Sequence, residues 1–230
     1  MKHALVTGST RGIGLAIAKK LIENDYSVFT NGRGSDCVEL RNSQYIQSDL
    51  STLDGVNTLA DIVLQETQVL DVLILNVGTT CRKSYADIEY ADWQRVMDTN
   101  LNMPFFLVKR LFRSISNDGS VVFISSAMSL KPHATSIPYG VSKAAINMLA
   151  QNLVKELSPR GIRVNVICPG FIDTDWQKEK PEWLRNKIEN KIAMRKFGSP
   201  EDVADMCLSF INNCYINGAV VSVDGGYNSE

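Results

Sequence analysis

The chain has 230 residues, is 44% hydrophobic and 21% charged, and has a formal net charge of −1 at pH 7. These values are typical of a soluble globular protein long enough to bury a sizeable core. A net charge so close to zero does not indicate the basic surface that binds nucleic acid or an anionic membrane. With only two histidines, His3 and His133, a His-rich zinc site is excluded and we expect no resident metal.

The cysteines and the N-terminal residues suggest a reducing compartment. The five cysteines are odd in number and no two are spaced C-x-x-C, so we expect buried, reduced thiols rather than a disulfide framework. The first residues resemble a strand rather than a signal peptide, and no apolar run approaches the roughly 18 residues of a membrane span. We therefore expect a cytoplasmic protein.

Short apolar runs alternate with helical patterns along the chain. Several runs are nearly continuous Val, Ile and Leu, which favours strands buried on both faces of a parallel sheet. Helical spacing is found at Gly14–Asn24 and Lys143–Leu157. The predicted strands are Ala4–Thr7, Ser27–Thr30, Tyr45–Gln47, Val72–Leu75, Val121–Ser125, Arg163–Ile167 and Ala219–Val223. The pattern predicts an α/β protein, with a doubly wound, seven-stranded parallel sheet and helices on both faces.

Nothing in the composition divides the chain, so we expect one domain over residues 1–230. One connection is unusually short, because only 11 residues separate Arg33 from Tyr45. A full crossover helix hardly fits in that length, and we expect a short helical turn or a loop there.

A glycine-rich turn, Thr7-Gly8-Ser9-Thr10-Arg11-Gly12-Ile13-Gly14, follows the first predicted strand. Glycines at such a turn let the backbone approach a pyrophosphate, and the helix N-terminus offers free N–H groups to the phosphates. The alternative is a plain structural turn. The position between a strand and an amphipathic helix favours a dinucleotide site.

The G-x-x-x-G-x-G spacing resembles the short-chain dehydrogenase/reductase family, and the resemblance continues through nearly the whole chain. The matching segments, in order, are the glycine turn, Leu75-Asn76-Val77-Gly78, Asp98-Thr99-Asn100-Leu101, Ser126 with Tyr139 and Lys143, Pro169-Gly170 with Thr174, and Asp224-Gly225-Gly226. The resemblance implies a Rossmann fold and hydride transfer between a nicotinamide cofactor and a carbonyl or secondary alcohol. The general pattern is closest to the 3-oxoacyl-carrier-protein reductases.

The resemblance also indicates which nicotinamide cofactor binds. Gly32 takes the position of the acidic residue that accepts the ribose hydroxyl of NAD, while Arg33 and Arg11 take positions typical of NADP enzymes. Guanidinium groups suit a phosphate by charge and geometry. We therefore expect NADP(H) rather than NAD(H), the alternative being that both arginines are solvated surface charges. The implied cofactor contacts are Gly8, Ser9, Thr10, Arg11, Gly12, Ile13, Gly14, Arg33, Asp49, Leu50, Asn76, Gly78, Tyr139, Lys143, Pro169, Gly170, Ile172 and Thr174.

The predicted catalytic residues are Asn100, Ser126, Tyr139 and Lys143. Tyr139 and Lys143 are four residues apart, which places them on one helix face, with Pro138 suited to the start of that helix. An ammonium nearby should lower the phenol pKa, so that Tyr139 exchanges a proton with the substrate oxygen. Ser126 would hydrogen-bond that oxygen, with Ser125 as its rival. Asn100 would anchor a water that relays protons from Lys143, unless it is a structural amide near a helix bend.

The sequence departs from the family pattern in two places, and one predicted cofactor contact has an alternative role. Val77 replaces the family's alanine beside the cofactor, and the short connection after Arg33 removes part of the adenine-side wall. Asp49, expected along the adenine, could equally cap a helix N-terminus.

The segment 171–199, here called the flap segment, is expected to cover the substrate. Trp176 and Trp183 either close over a ligand or tether a helix to the core. Further pocket candidates are Met128, Cys81 and His133, of which His133 has no acidic partner evident in the sequence. No cluster of basic residues in the sequence marks a particular anionic substrate, and nothing selects among fatty acyl, sugar, steroid and xenobiotic carbonyl compounds. We expect a small-molecule carbonyl compound or alcohol as the substrate.

Family resemblance implies a homodimer or homotetramer, formed through the helices that begin near Asn100 and Tyr139 and through the C-terminal strand. The main functional hypothesis is an NADP(H)-dependent oxidoreductase, similar to a 3-oxoacyl thioester reductase. The alternatives are an NAD(H)-dependent sugar, polyol or hydroxysteroid dehydrogenase, or an inactive NADP-sensing or scaffold protein.

Overall fold

A seven-stranded sheet in the order β3-β2-β1-β4-β5-β6-β7 forms the centre of the molecule, and every neighbouring pair is parallel. The computed structural model describes residues 1–35, 38–132 and 136–229, so His133 lies outside the described residues. The strands are β1 (Lys2–Val6), β2 (Tyr26–Gly32), β3 (Ser43–Gln47), β4 (Leu70–Leu75), β5 (Ile115–Ile124), β6 (Arg163–Pro169) and β7 (Val220–Val223). The predicted doubly wound Rossmann fold is confirmed.

Helices cover both faces because successive strand residues point to opposite sides of the sheet. Leu5 packs in the layer beneath α2, α4 and α5, whereas its neighbours Ala4 and Val6 pack in the layer beneath α1 and α8. The helices are α1 (Gly12–Ile22), α2 (Leu53–Glu66), α3 (Tyr90–Met97), α4 (Met103–Leu111), α5 (Ile137–Leu157), α6 (Asp175–Lys178), α7 (Glu182–Glu189) and α8 (Pro200–Asn212).

The predicted boundaries shift where glycine or proline alters the first turn of a helix. Helix α1 begins at Gly12 and ends at Ile22, two residues earlier at each end than predicted. Helix α5 begins at Ile137 with Pro138 in its first turn, as expected for proline at that place. The described residues between β2 and β3 form no helix, which agrees with the predicted loop.

The cysteine prediction is only partly right. Cys81, Cys168 and Cys207 are free and buried, but Cys214 is free and exposed, because it lies past the end of α8. Within the described residues, no helix combines the length and apolarity needed to span a membrane.

Asn31, at the carboxyl end of β2, joins β2 and β3 to the glycine turn and is almost completely buried. Its side-chain amide donates to the Ile46 carbonyl at 3.2 Å and to Ser48 Oγ at 2.9 Å. Its Oδ1 accepts from the Gly8 N–H at 3.3 Å, and its own N–H donates to Ser9 Oγ at 2.9 Å. These hydrogen bonds therefore hold the glycine turn in a fixed position relative to the sheet.

Replacing this amide should destabilise the fold. Asn31→Ala leaves buried donors and acceptors unpaired, so we expect the free energy of unfolding to fall by about 1–3 kcal/mol. Urea unfolding measures the change. The matched control is Asn24→Ala, because Asn24 is exposed and its side-chain amide donates to the Lys20 carbonyl, and this variant should change stability by less than about 0.5 kcal/mol. Equal effects of the two variants would contradict this role of Asn31.

Candidate active site

A cleft of about 370 Å³ opens at the carboxyl edge of the sheet, where the strand order reverses between β1 and β4. Ligands of open α/β sheets bind at such a reversal. The structure brings most of the predicted site residues together here. The lining includes Gly8, Thr10, Arg11, Gly12, Ile13, Arg33, Asp49, Leu50, Asn76, Gly78, Ser126, Tyr139, Lys143, Pro169, Gly170, Ile172 and Thr174.

Two of the predicted cofactor contacts lie beneath the glycine turn rather than on the cleft. Ser9 is buried, and its hydroxyl donates to the Val6 carbonyl at 2.8 Å. Gly14 is also buried, and a Cβ on it would lie 2.3 Å from the Gly8 carbonyl oxygen. Both residues support the turn, Ser9 by hydrogen bonding and Gly14 by permitting the close approach of helix to strand.

The N-terminus of α1 faces the cleft with its N–H groups uncapped by any side chain. Arg11 is the N-cap residue and makes no side-chain cap, and the first turn contains no acidic residue. Gly12 has φ +55°, a left-handed conformation that favours glycine. An uncapped helix N-terminus of this kind is suited to an anion such as a pyrophosphate.

Arg33 is exposed and lines the same cleft as Arg11. None of the ion pairs in the described part of the chain involves either guanidinium. A Cβ on Gly32 would lie 2.6 Å from Thr10 Cγ2 and 2.9 Å from the Tyr45 hydroxyl, so a side chain at this position requires the Thr10 or Tyr45 side chain to move.

Asp49 and Leu50 line the cleft as predicted, and the capping alternative for Asp49 is not what the structure shows. The N-cap of α2 is Thr52, whose Oγ1 accepts from the Gly55 N–H at 3.1 Å. Asp49 instead accepts from the Ser51 N–H at 3.0 Å.

The reactive centre combines the end of β5 with the first turns of α5. Ser126 forms a side-chain hydrogen bond with Tyr139. Lys143 Nζ donates to the Ile124 carbonyl at 2.7 Å and lies 5.8 Å from the centroid of the Tyr139 ring. Ser125, the rival serine, uses its hydroxyl to donate to the Lys143 carbonyl at 3.0 Å, so it anchors α5.

The pKa of Tyr139 does not follow the prediction from sequence. Burial raises it above its ordinary value of 10.0, and although the Ser126 hydrogen bond acts in the opposite direction, burial dominates. Burial also lowers the pKa of Lys143 to about 8. At neutral pH the centre therefore holds a protonated phenol beside a mostly protonated ammonium.

Asn100 is buried beside the cleft and connects two of its walls. It lies in a π-helical turn, Asp98–Asn102, at the predicted bend between α3 and α4. Its Oδ1 accepts from the Thr79 N–H at 2.8 Å, while its Nδ2 donates to the Thr79 carbonyl at 2.9 Å and to Ser142 Oγ at 3.0 Å. Asn100 thereby fixes the loop after β4 against α5, one residue before Lys143.

Val77 fills the space beside the glycine turn, because its Cγ2 would lie 2.9 Å from a Cβ on Gly8. The loop around Val77 is held by Asn76, whose Nδ2 donates to the Thr7 and Gly8 carbonyls at 3.0 Å. The substitution of valine for the family's alanine therefore leaves the contact between turn and loop intact.

The two tryptophans of the flap segment differ in their position relative to the cleft. The Trp176 ring centroid lies 6.3 Å from that of Tyr139, and Trp176 lines the cleft. Trp183 is 66% exposed, so it neither lines the cleft nor tethers a helix to the core. The other described candidates, Met128 and Cys81, are not among the cleft-lining residues.

Several cleft residues were missed by sequence reasoning: Asn31, Ser48, Ser51, Thr79, Arg95, Thr99, Ile124, Asp175 and Gln177. Asn31 and Ser48 end or follow a strand, a position that could have identified them. Arg95 neither ends nor follows a strand, so its position in the sequence does not indicate that it lines the cleft. It reaches the site because its guanidinium donates to Thr79 Oγ1 at 2.8 Å across the cleft wall.

Comparison with known proteins identifies the family. The family model for short chain dehydrogenase matches residues 2–185. The chain is 31% identical over 239 residues to the 3-oxoacyl-[acyl-carrier-protein] reductase FabG of Aquifex aeolicus, covering 98% of this chain and 96% of that protein. It is 32% identical over 242 residues to glucose 1-dehydrogenase 2 of Bacillus subtilis, covering 98% and 94%.

Among solved structures, the active-site complex of Pseudomonas aeruginosa RhlG with NADP matches with a TM-score of 0.91 at 28% identity, over 98% of this chain and 96% of that one. A short chain dehydrogenase family protein from Francisella tularensis matches with a TM-score of 0.93 at 25% identity over the full length of both chains. The chain belongs to the short-chain dehydrogenase family and is an oxidoreductase of that family.

Proposed function

We propose that the protein is an NADP(H)-dependent reductase of carbonyl compounds, which works in reverse on secondary alcohols. The observation that carries this proposal is the grouping of Ser126, Tyr139 and Lys143 at one end of a cleft whose other end presents Arg11 and Arg33. The complete set of acid–base residues argues against an inactive sensing or scaffold role.

The cleft fits a phosphorylated dinucleotide in three respects. The uncapped N-terminus of α1 is suited to the pyrophosphate. The guanidinium groups of Arg11 and Arg33 are placed for a 2′-phosphate. Near the reactive end, a Cβ on Gly78 would lie 3.4 Å from Lys143 Nζ, so the absence of a side chain leaves space for a ribose beside the ammonium.

When bound, the reduced cofactor supplies a hydride to the carbonyl carbon. Ser126 and Tyr139 hydrogen-bond the carbonyl oxygen, and Tyr139, protonated because burial raises its pKa, donates the proton. Lys143 orients the ribose and stabilises the phenolate that remains. Asn100 acts as a positioning residue, because its bonds to Thr79 and Ser142 set the distance between the loop after β4 and α5.

A substrate related to a 3-oxoacyl thioester is supported by the similarity to 3-oxoacyl-[acyl-carrier-protein] reductases. The alternative, an NAD(H)-dependent sugar dehydrogenase, is supported by the similarity to glucose 1-dehydrogenase 2. The flap segment closes over the substrate in either case, with Trp176 above Tyr139 excluding water.

We further propose that the protein assembles as a homodimer or homotetramer. The outer faces of α4 and α5 expose Phe105, Phe106, Val141 and Met148, apolar side chains that a second copy would cover. The edge strand β7 offers a second contact surface.

Removing the phenol hydroxyl should abolish turnover without removing the cofactor site. For Tyr139→Phe we expect kcat for ketone reduction to fall at least about 100-fold, because the proton donor is lost. NADPH binding, followed by fluorescence, should remain within about twofold of the unmodified protein. Tyr85→Phe is the control, since Tyr85 is 82% exposed, and it should change neither quantity.

The pH profile should show the titration of Lys143. Because its pKa is lowered to about 8, the ammonium is charged below that pH and neutral above it. We expect kcat/KM for NADPH, which reports on the free protein, to be flat from pH 6 to 7 and to fall above about 8. A profile that stays flat to about pH 9.5, or that falls below pH 7, is incompatible with this role.

The cofactor preference should depend on Arg33. Arg33→Ala should lower kcat/KM for NADPH by about 10- to 100-fold, the effect of losing a charged hydrogen bond, and leave kcat/KM for NADH unchanged. Arg41→Ala, which removes an exposed arginine from the same connection, should affect neither cofactor. Equal losses with NADPH and NADH would refute the assignment of Arg33 to the phosphate.

A further inference from the structure

The start of the connection after β2 is not held by the backbone pairing of the sheet. The last paired residues of β2 and β3 are Gly32 and Gln47, so Arg33 and Gly34 lie just beyond the ladder. In the described part of this connection no residue is helical. The backbone that carries Arg33 therefore lacks the hydrogen bonds that a strand or a helix would supply.

Two side chains of β3 hold this backbone instead. Gln47 Nε2 donates to the Arg33 carbonyl at 2.9 Å, and the Tyr45 hydroxyl donates to the Gly34 carbonyl. Tyr45 and Gln47 are two positions apart, so both side chains leave the same face of the strand. Two consecutive carbonyl groups of the connection are thus held by one strand.

The Tyr45 hydroxyl also lies close to the residue before Arg33. A Cβ on Gly32 would be 2.9 Å from the hydroxyl oxygen. Gly32 and Arg33 line the cleft, whereas Tyr45 and Gln47 are not among its described lining residues. Any effect of these two side chains on a ligand in the cleft therefore passes through the backbone that carries Arg33.

The far end of the connection is held separately. The Ser43 hydroxyl donates to the Leu40 carbonyl at 2.9 Å, and the Val28 N–H donates to the Asn42 carbonyl at 3.0 Å. Loss of the two side-chain bonds near Arg33 should therefore free that end of the connection and leave the start of β3 in place.

Holding the backbone matters because the Arg33 side chain is exposed and is not part of an ion pair with any described residue. A long exposed side chain loses conformational freedom when it binds an anion. If the backbone beneath it had to be ordered as well, affinity would fall by about tenfold for one residue. A backbone that is already ordered avoids this loss.

We propose that Tyr45 and Gln47 are positioning residues for the cofactor. By holding the carbonyl groups of Gly34 and Arg33, they place the Arg33 guanidinium for the 2′-phosphate of NADP(H). This inference rests on the proposed NADP(H)-dependent function and adds two residues to its cofactor preference.

Nucleotides that cannot transfer a hydride test this positioning without turnover. Adenosine 2′,5′-bisphosphate carries the 2′-phosphate and adenosine 5′-monophosphate lacks it, and calorimetric titration measures the Kd of each. The intact protein should bind the bisphosphate more tightly. Tyr45→Phe, which removes only the hydroxyl, and Gln47→Ala should each weaken bisphosphate binding by about 3- to 10-fold and leave monophosphate binding within about twofold.

A double-mutant comparison separates positioning from a general effect on the fold. If Tyr45 acts through Arg33, adding Tyr45→Phe to Arg33→Ala should change the Kd of the bisphosphate by less than about twofold. The control is Gln44→Ala, because Gln44 is exposed and lies on the opposite face of β3, and it should alter neither Kd. Urea unfolding checks that each variant is folded. Gln47 is exposed, so Gln47→Ala serves as the test if Tyr45→Phe is unstable.

The results distinguish failure of this inference from failure of the proposed function. If Arg33→Ala removes a preference for the bisphosphate that Tyr45→Phe and Gln47→Ala both keep, the inference is wrong and NADP(H) dependence stands. It is also wrong if these variants weaken both nucleotides alike, or act undiminished in the Arg33→Ala background. An intact protein that binds the two nucleotides equally counts against the proposed cofactor and overturns the inference with it.

Discussion

The hydrogen bond from the buried Lys143 ammonium to the Ile124 carbonyl, at 2.7 Å, determines where the reactive groups lie. It joins the end of β5 to the second turn of α5, and the Ser125 hydroxyl donates to the Lys143 carbonyl at 3.0 Å. Burial disfavours the charged form and lowers the Lys143 pKa to about 8, but the ammonium still predominates at neutral pH. The Lys143 ammonium is thus held 5.8 Å from the centroid of the Tyr139 ring.

The features that sequence could predict are local in origin. Strand alternation, the glycine turn and the four-residue spacing of Tyr139 and Lys143 each depend on neighbours within one turn or strand. Because the sheet brings the carboxyl ends of its strands to one edge, these local patterns were enough to place most of the cleft lining.

The features that sequence missed depend on contacts between distant segments. Asn31 supports the glycine turn by accepting from the Gly8 N–H in that turn while donating to the Ile46 carbonyl on β3, and its neighbours in sequence do not indicate these contacts. The direction of the Tyr139 pKa shift depends on how deeply the phenol is buried, which only the packed structure gives.

The central claim is that this cleft transfers a hydride from NADPH to a carbonyl carbon, and isotope transfer tests it most directly. The protein is incubated with ethyl acetoacetate or acetoacetate and NADPH carrying deuterium at one face of C4, in separate reactions for each face. Mass spectrometry of the product alcohol should find deuterium on the carbinol carbon from one labelled face and none from the other. Product alcohol without deuterium from either face, or with deuterium from both equally, would contradict the account.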